Sequence, residues 1–268
     1  LVDEFQMVAR RLELIEELNV LDDAVRGQFV EFEHQHFIAF VHDKYVTIIL
    51  ESLSSQRRRQ LNESVARMLL DNSNPDHRRA ATCFQDAELY EDAAAHWMQA
   101  ALLHRDVTDY PNFRGALLCS ANCLRHARVL RMDRRWLMLS VLWVLCNRVM
   151  GASASVEPRI VRLCNRVHAL DDHELKAMVY KERARVERIQ RTAAAGVAYM
   201  KLGLESAERS SNRSLEADLR ANYVEFLFYV GAYEDCAQHI PLIDELIEGS
   251  AAVLMNRFYL RERVASLK

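Results

Sequence analysis

Three groups of side chains have the types and spacings that chemistry would use. His34, His36 and His42 fall on a stretch that alternates like a strand, and His34-x-His36 puts two imidazoles on one strand face, a legitimate spacing for a metal. No cysteine or carboxylate completes that set, so exposed hairpin histidines are the plainer reading. Cys119, Cys123 and His126 sit at i, i+4 and i+7 and would present three ligands on one helix face. A fourth is missing, and small thiols at a helix–helix contact are the commoner case. Arg57-Arg58-Arg59 with Arg78-Arg79, and Arg125, Arg128, Arg131, Arg134 and Arg135, could face nucleic-acid phosphates. Trp136, Trp143 and Phe113 could line a peptide groove, although core packing suits them better. Ser, His and Asp never fall in a recognisable catalytic arrangement, and no Gly-x-x-x-x-Gly-Lys-Ser/Thr occurs. The segment is therefore expected to be non-catalytic, with no metal and no cofactor of its own.

The elements that position these residues follow from composition and period. Only 7 Gly and 4 Pro in 268 residues leave little material for a turn-rich β fold, while half the residues are apolar and 27% are charged. That balance points to a mainly α protein. The net charge of −3 gives no global basic excess, which disfavours a nucleic-acid partner. No apolar run is long enough to span a bilayer, so no membrane partner is expected. Six cysteines without a Cys-x-x-Cys pair read as free, buried thiols of a cytoplasmic protein. The chain opens on Leu-Val-Asp rather than Met and is expected to be a piece of something longer.

Along the chain, Phe5, Val8, Leu12, Ile15 and Leu18 give a helical period over 3–19. The period then switches to alternation in Phe29–Glu33 and His36–Val41, two short strands joined by a hairpin at His34–His36. Helix resumes at Asp43, and Ser54 or Ser55 caps a further helix through Leu61, Val65 and Leu69. Asp71-Asn72-Ser73-Asn74-Pro75 breaks it, which predicts domains over 1–72 and 73–268. Helix pairs are expected at 76–88 with 91–105, 112–130 with 133–150, 157–169 with 172–190, 193–210 with 213–230 and 232–248 with 251–267.

Residues 80–103 read as two helices around a tight corner at Glu88–Tyr90. Ala93, Trp97 and Ala100 share a face of the second, where small residues admit a neighbouring helix and Trp97 fills the gap between them. Tyr90-Glu91-Asp92-Ala93-Ala94 returns 143 residues later as Tyr233-Glu234-Asp235-Cys236-Ala237, or four intervals of about 36. Helix pairs cannot bury their faces singly, so a right-handed α–α superhelix with a concave face is expected.

Residues 80–103 resemble a tetratricopeptide repeat on the spacing of Ala93, Trp97 and Ala100. A second resemblance covers residues 1–105. Helix, strand pair, Phe40-Val41-His42-Asp43 opening a helix, then Arg57-Arg58-Arg59-Gln60-Leu61-Asn62 is similar to the winged-helix module of STAND-class signal-transduction ATPases, such as maltose-regulator-like activators and the ATPase half of some adenylate cyclases. The resemblance implies a small winged helix followed by tetratricopeptide-like repeats that sense a ligand. It implies that His42 reaches the β-phosphate of ADP and holds the inactive state, with Asp43 capping the next helix. It also implies a P-loop ATPase domain upstream that binds ATP or ADP, and an activating protein or peptide on the concave helical face. A nucleotide-independent adaptor binding a peptide is the alternative.

Overall fold

A computed structural model describes residues 30–33, 37–40, 53–152 and 156–246. The protein is mainly α, with ten helices among the described residues. Two short strands precede them. β1 (Val30–Glu33) and β2 (Phe37–Phe40) pair antiparallel, with Val30 opposite Phe40 and Glu33 opposite Phe37. The helices expected at 3–19, from Asp43 and at 251–267 lie outside the described residues, as do His34, His36, His42 and Asp43.

The helices are α1 (Ser55–Leu70), α2 (His77–Asp86), α3 (Tyr90–Asp106), α4 (Tyr110–His126), α5 (Arg134–Val149), α6 (Glu157–His168), α7 (His173–Gln190), α8 (Ala193–Arg209), α9 (Arg213–Tyr229) and α10 (Tyr233–Leu246). Their starts are written in the sequence. Ser54, Asp76, Asp109, Asp133, Asp172, Thr192 and Asn212 each precede a helix and accept a hydrogen bond from a first-turn N–H. Tyr110-Pro111-Asn112 opens α4, two residues ahead of the start expected at 112: Pro111 sits in its first turn, where the missing N–H costs nothing.

Five of their ends share one device, and Ser211 after α8 takes the same left-handed backbone with φ of 58°. After α2, α3, α4, α5 and α9 the second residue past the helix takes a left-handed backbone: Glu88, Thr108, Arg128, Gly151 and Gly231, with φ of 62°, 60°, 55°, 82° and 79°. Its N–H and the next one then bond back into the last helical turn. Glu88 N reaches Gln85 O at 3.0 Å, and Leu89 N reaches Phe84 O at 2.9 Å. This satisfies orphan carbonyls and reverses the chain within three residues. Glu88 and Gly231 are 143 positions apart, so the recurrence at Tyr90 and Tyr233 extends to the corner before each.

The chain divides into two compact units, Leu1–Val129 and Leu130–Lys268. In the first, α1 packs on α2, α2 on α3, and α3 most extensively on α4. Alanines allow the close approach: Ala93, Ala94, Ala100 and Ala101 of α3 and Ala116 and Ala121 of α4 are buried. In the second, α7 is the hub. It packs most extensively on α8 and also touches α5, α6 and α9. Leu137, Val141 and Val144 of α5, Ile160, Leu163 and Val167 of α6 and Leu175, Val179 and Val186 of α7 form one apolar cluster. Ala177 and Ala184 of α7, Met200 and Leu204 of α8 and Leu219 and Phe226 of α9 form the next. The closest contacts, α3 with α4 and α7 with α8, join helices that the sequence had placed in different pairs. No helix among the described residues is long and apolar enough to cross a membrane.

Candidate interaction site

The residues singled out in the sequence are drawn mostly into packing. Ala93 and Ala100 are fully buried and Trp97 is half-buried, with its indole Nε1 enclosed and without a hydrogen-bond partner. In the second copy Cys236 and Ile243 are buried, and Ile240 packs against the same cluster. Cys123 is buried, and its Sγ donates to Gln85 Oε1 at 3.6 Å; burial lifts this thiol to about 11, with Cys119 adding to the rise. His126 is exposed and stacks on Tyr90 at 4.9 Å. The three therefore do not converge, and no group of three metal-ligating side chains gathers among the described residues. Phe113 and Trp136 are core residues, whereas Trp143 is half-buried.

The arginine clusters also resolve into local contacts. Arg59 pairs with Glu88, Arg125 donates to Asn122, and Arg135 grips Asp133 at 2.9 Å. Arg134 reaches across to α7, with Nε 2.6 Å from Asp172 and Nη2 2.9 Å from Glu174.

Sequence reasoning missed the feature that organises the second unit. On α7, Lys181, Arg185 and Arg188 follow one another at i, i+4 and i+7. They meet Asp218, Asn222 and Glu225, at the same spacing on α9, each at 2.6 Å and each 37 residues on. On the other side Arg148 of α5 bonds Glu182 of α7 at 2.9 Å, across 34 residues. Partner numbers rise together along each pair, so α5, α7 and α9 run parallel, side by side. The interval matches the period of about 36 suggested by the Tyr90 and Tyr233 copies.

Glu182 is the buried centre of this ladder, 1% exposed and held by Arg148 and by Arg185 at 3.0 Å. Burial alone would raise its pKa; Arg185, Arg148 and Lys181 outweigh it and keep the carboxyl below the usual range. Asp218 is treated the same way: burial opposes, Lys181 prevails, and its carboxyl is held low. Arg183 and Glu187, both buried, pair along α7, and Arg191 closes on Glu187 at 3.3 Å. The signal was present as the charge-dense run Lys181-Glu-Arg-Ala-Arg-Val-Glu-Arg188 in a helix with no polar face to spare.

At one end of this ladder lies an open polar depression of about 410 Å³ lined by Arg134, Asp171, Asp172, His173, Glu174, Arg209 and Ser210. Burial would raise Asp172, but the Leu175 N–H and Arg134 hold it below the ordinary carboxylate value. Glu174 is tied to Asn212 at 2.9 Å as well as to Arg134. With Asp172 and Glu174 both paired to Arg134, this surface presents ordered polar groups. Neither the protein-family models nor the curated proteins contain a match to this chain.

Proposed function

We propose that the chain is the regulatory and sensor segment of a larger STAND-type signalling ATPase. A winged module would clamp ADP through His42, supported by Asp43. The helices that follow would stack as tetratricopeptide-like pairs in a right-handed superhelix and bind an activating protein or peptide. Binding would shift a closed–open equilibrium and release the clamp. The observation that carries the reading is the order of elements. An antiparallel strand pair ends two residues before His42, and helices joined by short turns follow it.

The test uses the natural full-length protein. His42→Ala should raise basal activity and speed loss of bound ADP, since an imidazole N–H to phosphate would be removed. Unchanged basal activity together with unchanged ADP retention overturns the proposal. A nucleotide-independent adaptor is the second reading, favoured by the paired polar surface at the start of α7. It requires partner binding by the full-length protein to be the same with ADP, with ATP and without nucleotide.

A further inference from the structure

Arg159, Arg162 and Arg166 fall at i, i+3 and i+7 of α6, on one face, and all three are exposed. Arg131, exposed just before α5, joins them. Its guanidinium lies 4.0 Å from the ring centre of Trp136, and that of Arg159 lies 5.7 Å from Trp143. The two tryptophans are seven residues apart on α5 and so share a face. A guanidinium over an indole face is attracted by the ring and still has N–H groups to offer a planar acceptor.

Partial desolvation of its guanidinium holds Arg159 below the ordinary range, and repulsion from Arg162 and Arg131 adds to the effect. No carboxylate among the described residues forms an ion pair with any of the four. Glu157, the acidic residue in the first turn of α6, faces Arg191 at 3.3 Å instead. Elsewhere in this unit Arg134, Arg148, Arg185 and Arg188 all contact carboxylates. Like charges gathered without counter-charge are relieved by a ligand that supplies it. Exposed Leu130, Met132 and Val161 lie next to these arginines in sequence and add apolar surface.

We propose that Arg131, Arg159, Arg162 and Arg166, carried on the Trp136–Trp143 face, dock an acidic and partly apolar segment of a protein partner. The proposal rests on the reading above that the helical region binds an activating partner, and names that partner's chemistry. Arginine's fork matches paired carboxylate oxygens. A nucleic acid fits less well, because its binding draws on a broad positive field and this chain carries a net charge of −3.

The experiment titrates the full 268-residue chain with a fluorescent synthetic peptide of repeating Glu-Glu-Leu-Phe units, read by anisotropy and by Trp emission. Arg162→Glu with Arg166→Glu should weaken binding by about tenfold or more, at an unchanged melting temperature. Lys201→Glu with Arg78→Glu makes the same charge change at exposed positions of α8 and α2, which are not part of this face, and should leave binding within about twofold. Three results overturn the proposal: no binding by the unmodified chain, equal loss in both double variants, or tighter binding of a labelled oligo-dT strand. The His42→Ala outcome in the full-length protein does not depend on these arginines, so the two proposals fail separately.

Discussion

The two units build the same kind of helix contact from different materials. In Leu1–Val129, α4 lies on α3 through buried alanines, and Ser120 Oγ donates to the Ala94 carbonyl at 2.9 Å. The contact between α2 and α4 there is a thiol on an amide, Cys123 to Gln85, across 38 residues. In Leu130–Lys268 the corresponding interval is bridged by ions: Arg148 to Glu182, Lys181 to Asp218, Arg188 to Glu225. Apolar contact is non-directional and tolerates sliding. A ladder of matched charges does not, because a one-residue slip leaves buried charges unpaired. We read the ladder as the device that fixes register in the second unit, where α7 is buried nearly all round and has no polar face to orient it.

The sharpest way to break this comparison is to remove the ladder's centre. Glu182→Ala leaves Arg148 and Arg185 without their shared carboxylate, at a cost of about 3–5 kcal/mol. Ser120→Ala, the first unit's buried polar contact, should cost only about 1–2 kcal/mol. Urea denaturation of both variants checks the ranking. Equal losses would mean that the ladder carries no more than an ordinary hydrogen bond.

A second test concerns close approach, which the units also achieve differently. In α8, Gly196 and Gly203 face the carbonyls of Ala184 and Ala177 on α7. A Cβ at Gly196 would lie 2.4 Å from Phe226 Cε1 and 2.7 Å from the Ala184 oxygen, and neither can move without shifting α9 or the backbone. Gly196→Ala should therefore cost about 3 kcal/mol. At Gly203 the nearest atoms are a Leu219 methyl at 2.9 Å and the Ala177 oxygen at 3.3 Å. Gly203→Ala should cost about 1 kcal/mol, since that methyl belongs to a flexible side chain. A thermal melt that ranks Gly203→Ala as the worse of the two contradicts this packing.

These contrasts mark what the sequence made legible. Apolar period and cap residues located the ends of α2, α3 and α6 to α10 within about two residues. Strand alternation located β1 and β2. The ladder was not legible, because a charged helix reads as solvated until its neighbours are known. Lys181 and Asp218 look like ordinary surface charges until α7 and α9 lie side by side. The compact units part after Val129, where no strong breaker marks the sequence. His42 lies outside the described residues.

The shared corner offers a smaller effect, in the stabilising direction. In the first unit these positions hold non-glycine residues, Glu88, Thr108 and Arg128, whereas the second unit has Gly151 and Gly231 beside one non-glycine, Ser211. Thr108 is β-branched and the most strained of the three. Thr108→Gly removes the clash of Cβ with the backbone and should stabilise by about 1 kcal/mol, while Gly231→Ala should destabilise by a similar amount. Opposite signs in denaturant midpoints are expected; a loss at Thr108→Gly would show that the threonine side chain contributes more than its backbone costs.

The smallest effect separates the units by pH. His96 and His239 are equivalent positions of the two copies, and each meets a partner 19 residues earlier. His77 Nδ1 lies 3.2 Å from His96 Nδ1, and Arg220 Nη1 lies 3.3 Å from His239 Nδ1. Burial first, and then these neighbours, hold both histidines below the ordinary value of 6.5, with Asp92 opposing at His96 and Asp235 and Glu208 opposing at His239. A lowered histidine pKa means that the folded state binds its proton less readily than the unfolded chain. Stability is then fully present above 6.5 and falls as pH drops through the folded values. Glu182 and Asp218 are held low as well, but they begin to cost stability only nearer their ordinary values of 4.5 and 3.8. A urea midpoint that declines between pH 7 and 5 therefore reports the histidines. His96→Phe keeps a ring against Phe84 and should flatten only the first unit's share of that decline. A wild-type midpoint that stays level across this window would sink the assignment. A decline that vanishes entirely in His96→Phe would place the whole effect in the first unit and leave His239 with none.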